Sequence, residues 1–95
     1  MTLSEFKETI KQPDPPSHIN SLLKALWYDA KGNWKSAHDL AQDVHSNEGS
    51  WVHAYLHRKE GDLGNASYWY HRANQPVCKK SLVEEWDEIA KSLLN

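Results

Sequence analysis

The middle of this chain repeats itself, and that repeat limits what it can fold into more than any other feature. Residues 25–44 laid on residues 54–73, a shift of 29 positions, pair Ala25 with Ala54, Gly32 with Gly61, Asn33 with Asp62, Trp34 with Leu63 and Ala37 with Ala66. Each match has a physical job. Small alanines let two antiparallel helices approach closely, glycine supplies a tight turn, and Asn or Asp caps the returning helix. The repeat therefore predicts two tandem helical hairpins, over residues 17–46 and 50–74.

The flanking segments read as helices too. Thr2 and Glu5 have capping-box spacing ahead of Leu3, Phe6 and Ile10, which predicts a helix within residues 1–12. Residues 13–16, Pro-Asp-Pro-Pro, cannot continue it, because proline lacks the amide hydrogen and forces its predecessor out of helical geometry. Ser17 is the expected cap of the next helix, whose apolar stripe runs through Ile19, Leu22, Leu23, Leu26, Trp27 and Ala30. Asn33, Ser50 and Asp62 are the expected caps of the following three, with His45 to Gly49 as a loop. Ser81 with Glu84 repeats the capping box, and Leu82, Val83, Trp86, Ile89, Ala90, Leu93 and Leu94 are expected to form one apolar face of a last helix over residues 81–94. Trp86 is expected inside if that helix caps the stack, and Glu84, Glu85, Asp87 and Glu88 are expected on its solvated side. The fold class is all-α, with six helices in one domain.

A chain of 95 residues is about one domain, and it buries a modest fraction of its surface. Five tryptophans and four tyrosines help, since a buried aromatic removes on the order of 150–250 Å² from water. The formal charge is −2, with 11 basic residues scattered among 13 acidic ones, so no basic footprint for nucleic acid is present. Charged Glu5, Lys7 and Glu8 break up the first segment, and no apolar run approaches the roughly 18 residues of a membrane span. With a single cysteine no internal disulfide forms, and a cytoplasmic protein is expected.

The hairpin residues resemble the tetratricopeptide repeat: an alanine in the first helix, a Gly-Asn or Gly-Asp turn, an alanine and an aromatic in the second helix, and Pro76 beyond. Asn65 to Ala73 is also similar to the second helix of Sel1-like repeats, in which a Trp-Tyr pair precedes a basic residue and alanine. The stretches 25–32 and 51–62 are similar to segments of a family of small proteins without an assigned activity. The first unit departs from the repeat pattern at Ala41, where a large aromatic would stand. The resemblance implies two antiparallel hairpins with an N-terminal helix and a C-terminal capping helix, and a concave face that holds a peptide or partner protein. By that resemblance the groove positions of the second unit are Trp51, Tyr55, Arg58 and Lys59. No cofactor is expected, and the assembly is a monomer or a weak homodimer.

An alternative reading is a small ligand-binding or metal-dependent enzyme. His53 and His57 stand four apart on one helix face, and His38 on the preceding helix can approach them, giving a three-histidine set. The bland counterpart is three imidazoles hydrogen-bonding between helices. The residue after His53 is Ala54, so the His-Glu-x-x-His motif of metalloproteases is missing. Tyr28, Trp51, Tyr55, Tyr68 and Tyr70 with Arg58 and Arg72 are candidates for a pocket taking a planar or anionic ligand, against a reading in which they pack. Cys78 lies beside Lys79 and Lys80, surroundings that favour a thiolate. No catalytic residue is assigned.

Overall fold

A computed structural model describes all 95 residues, Met1–Asn95. It contains six helices and no strand: α1 Leu3–Thr9, α2 Ser21–Ala30, α3 Trp34–Gln42, α4 Asn47–Glu60, α5 Leu63–Arg72 and α6 Leu82–Leu94. Both capping boxes form, Thr2 with Glu5 at α1 and Ser81 with Glu84 at α6. Asn33 and Asp62 cap α3 and α5 through their side-chain oxygens.

The repeat is reproduced bond for bond at its two turns. Gly32 and Gly61 take positive φ, 84° and 90°. The next amide in each turn reaches back to the same carbonyl position, Asn33 to Tyr28 and Asp62 to His57, both at 2.9 Å. One residue thus closes the preceding helix through its backbone and opens the following helix through its side chain. Ala25, Ala37, Ala54 and Ala66 are all buried at the hairpin contacts, where a larger side chain would hold the helices apart.

Two helices start elsewhere than expected. The turn after Pro16 extends through Ile19, so α2 begins at Ser21 with Asn20, not Ser17, as its cap; the Asn20 carboxamide accepts from the Leu23 amide at 2.8 Å. At α4 the cap is Ser46 rather than Ser50, and the expected loop His45 to Gly49 is partly helical. Gly49 makes this possible, because a Cβ at that position would lie 2.1 Å from the Val44 carbonyl oxygen. Only a residue without a side chain lets the first turn of α4 pass so close to the end of α3.

The main core gathers Phe6, Leu26, Trp27, Val52, Leu56 and Ile89 from α1, α2, α4 and α6. Phe6 stacks on Trp86 with ring centroids 5.7 Å apart. Buried Trp86 donates its indole N–H to the Leu26 carbonyl at 3.1 Å, and Trp27 donates to Thr9 at 3.2 Å, so these large rings bring no unmatched donor inside. The last helix does not extend the stack by packing on α5; it lies across α4, α2 and α1. That placement leaves Leu63 and Tyr68 of α5 exposed.

Gly49→Ala is expected to lower stability by about 1–3 kcal/mol, because the clash is with backbone and the neighbour cannot rotate away. Urea unfolding followed by circular dichroism measures it, and an unchanged midpoint would refute the close-approach account.

Candidate functional site

Trp51, Tyr55, Arg58 and Lys59 do share one stripe of α4, as their spacing requires. That stripe faces α2 and α6, and each of its four side chains donates to a carboxylate. The Trp51 indole donates to Glu85 Oε2 at 3.2 Å and Arg58 Nη1 to Glu85 Oε1 at 2.9 Å. The Tyr55 hydroxyl donates to Asp29 Oδ2 and Lys59 Nζ to Asp29 Oδ1, each at 2.9 Å. From α5 the Tyr70 hydroxyl also donates to Glu85, lying 2.6 and 2.8 Å from its two oxygens. Arg58 holds α6 a second way, by donating to the Lys80 carbonyl.

Glu85 is 0% exposed, which corrects its assignment to the solvated side of α6. The reason is visible in the sequence after the fact. Glu85 is three residues after Leu82 and four before Ile89, on the apolar stripe, although its charge groups it with its acidic neighbours. Asp29 likewise follows Leu22 and Leu26 on the buried face of α2 and was not singled out. A carboxylate goes inside only when enough donors converge on it, and periodicity along one helix says nothing about the other helices. Both tyrosines titrate above their ordinary range, because burial and then the adjacent carboxylates, Asp29 for Tyr55 and Glu85 for Tyr70, disfavour a phenolate.

These contacts divide the expected groove. Tyr55 and Lys59 line an open depression of about 420 Å³ between α1, α2, α4 and α6, whose apolar wall is Ile10, Ala30, Leu82, Val83 and Trp86. Its charged rim is already paired, Lys59 with Asp29 at 2.9 Å and Lys7 with Asp87 at 3.0 Å. Trp51 lines a different depression, of about 410 Å³, beside Pro76, Val77 and Cys78. The aromatic and arginine residues do not line one ligand pocket: Trp51, Arg58 and Tyr70 meet at buried Glu85, and the others lie apart from them. Tyr70 is buried on Glu85, Tyr28 packs edge-on against Trp27, and exposed Tyr68 accepts a hydrogen bond from Arg72 at 3.1 Å. Cys78 is half-buried, and burial, helped by the Glu85 charge, raises its thiol above the ordinary value against the pull of the Lys80 amide, so the expected thiolate-favouring surroundings are not found.

The three histidines do come together. His53 Nε2 lies 2.9 Å from His38 Nε2, and a ligating nitrogen from each of His38, His53 and His57 falls within 4.8 Å of the others. The His57 ring is held from behind by Glu60, whose Oε1 lies 2.7 Å from Nδ1. Trp69 stacks on His53 at 3.9 Å between centroids, and Trp34 stacks on His38 at 4.8 Å. Burial, and then the neighbouring imidazoles, pushes His53 down to about 4. His38 is lowered by burial and by His57, with Asp39 and Glu60 pulling the other way.

No protein-family model, curated protein or solved structure matches the chain. No helix is long and apolar enough to cross a membrane.

Glu85→Ala is expected to cost about 3 kcal/mol or more, because it strands the Arg58 guanidinium and the Tyr70 hydroxyl in a part-buried site. Chemical denaturation of the variant tests this, and a loss below about 1 kcal/mol would place Glu85 in water. The histidines predict a pH dependence of known sign. His53 falls from 6.5 to about 4 on folding, so between those values the unfolded chain binds more protons. The contribution is intact above about pH 6.5 and is lost as pH falls toward about 4. Melting temperatures across that window should fall more steeply for the parent protein than for His53→Gln; equal slopes would contradict the assignment.

Proposed function

We propose that this protein is a helical-hairpin interaction module, similar in design to tetratricopeptide and Sel1-like repeats, that takes an apolar side chain of a partner protein into the depression between α1, α2, α4 and α6. The observation carrying this reading is a concave surface whose wall is apolar while its rim charges are spent on one another. A charged ligand finds no free countercharge there. A leucine or phenylalanine on a partner segment finds Ile10, Leu82, Val83 and Trp86, and its burial is favoured by about 25 cal/mol per Å². Val83, expected on the buried face of α6, is 70% exposed at the edge of this wall and so is available to a partner.

This locates the groove differently from the hairpin analogy. In an open stack the first helices of the hairpins line the binding surface, whereas here α6 covers most of that surface and contributes one wall of what is left. Lys59 and Tyr55 border the depression but donate to buried Asp29, and Tyr55 is only 2% exposed, while Trp51 and Arg58 donate to buried Glu85. A cytoplasmic setting is in keeping with the single unpaired cysteine.

Selection of peptides from a random display library on the purified protein, followed by chemical-shift mapping, tests the reading. Bound sequences should carry a bulky apolar anchor and perturb Ile10, Leu82 and Val83, and Val83→Glu should weaken them by about tenfold or more while leaving the fold unchanged. Binders that map elsewhere, or that ignore Val83→Glu, would overturn it.

A further inference from the structure

On the flank of the molecule formed by α3, α4 and α5, away from the groove, three imidazoles converge with no role in that reading. We propose that His38, His53 and His57 form a binding site for a divalent d-block ion of the zinc type, held by three imidazole nitrogens with a fourth position open to water or an exogenous ligand.

Geometry supplies the first argument. A tetrahedral ion with metal–nitrogen bonds of about 2.0–2.1 Å places its ligand atoms about 3.3 Å apart. The His38 and His53 nitrogens are already 2.9 Å apart, and the third ligand atom is within 4.8 Å of both. His53 and His57 are one turn apart on α4 and His38 stands opposite on α3, so all three project from regular helix rather than from loops.

The surroundings supply the second. Glu60 against His57 Nδ1 reproduces the carboxylate–histidine arrangement that orients a metal-ligating ring and raises its basicity, and it leaves Nε2, whose neighbour is the Asn65 side-chain amide nitrogen at 3.5 Å, as the nitrogen for the ion. Trp34 and Trp69, stacked on His38 and His53 with interplanar angles of 15° and 19°, fix the planes of the other two rings. An all-imidazole set suits zinc, copper, nickel and cobalt; calcium and magnesium require oxygen. His53 and Trp69 also form part of the wall of a cavity of about 170 Å³.

The competing arrangement is a single N–H···N hydrogen bond between His38 and His53, with no ion. Titration of chelator-treated protein with zinc and with cobalt(II) separates the two. The site predicts binding of one equivalent, the intense visible bands of tetrahedral cobalt, and quenching of tryptophan fluorescence through Trp34 and Trp69. His38→Gln and His57→Gln should each weaken binding by more than about 100-fold, and a His18/His45/His71→Gln variant, which removes the three exposed histidines, should bind as the parent does. Should a single variant fail to fold, the parent protein still decides the matter: on zinc addition the ring nitrogens of His38, His53 and His57 must shift together in a histidine-selective nitrogen spectrum. Absence of stoichiometric binding, binding lost only in the variant of exposed histidines, or shifts confined to those three would each overturn the site.

Discussion

A carboxylate removed completely from water must be matched by donors, and Glu85 is matched by three that come from two other helices. Trp51 and Arg58 reach it from α4 and Tyr70 from α5, while its own backbone belongs to α6. The apolar stripe of α6 is non-directional and would be satisfied by several surfaces. The carboxylate is directional, and the placement of α6 brings an indole, a guanidinium and a phenol to its two oxygens. The desolvation cost of a buried ion pair of this kind offsets much of its attraction. Asp29 does the same on the other side, joining α2 to α4 through Tyr55 and Lys59.

The consequence is that the chain folds back on its own concave face. Helix α6 does not pack along α5, where Leu63 and Tyr68 stay exposed. Instead α6 and α1 close over α2 and α4, and what remains open is the narrower apolar depression at their junction. The two candidate sites therefore lie on different flanks of α4. One rests on apolar area with compensated charges, the other on nitrogen ligands between α3 and α4. The same helix positions both, since residues 53 and 57 point one way while 55 and 59 point the other.

Much of the architecture is legible in the chain because it is local. A cap needs an oxygen three residues before an amide, a left-handed turn needs glycine, and a hairpin contact needs alanine; each is satisfied within a few positions, and the 29-residue offset then duplicates the set. The convergence of His38, His53 and His57 is legible for a related reason: consecutive helices of a hairpin stack have only one way to neighbour each other. The helix starts misjudged, at Ser17 and Ser50, are places where a competing cap or a close backbone approach nearby decided the boundary.

By itself, then, the sequence determined six helices, the repeated turn, the aromatic core and the histidine neighbourhood, all consequences of spacing along one chain direction. The tertiary structure alone decided where α6 lies, that Glu85 and Asp29 are interior, and that Trp51 and Tyr55 belong to separate surfaces. Those outcomes depend on which donors meet an acceptor across helices distant in sequence, such as Arg58 on Glu85 and Lys59 on Asp29. Periodicity records which face of a helix is buried; it carries no record of the partner that face will meet, because burial free energy depends on area and hydrogen bonding depends on position.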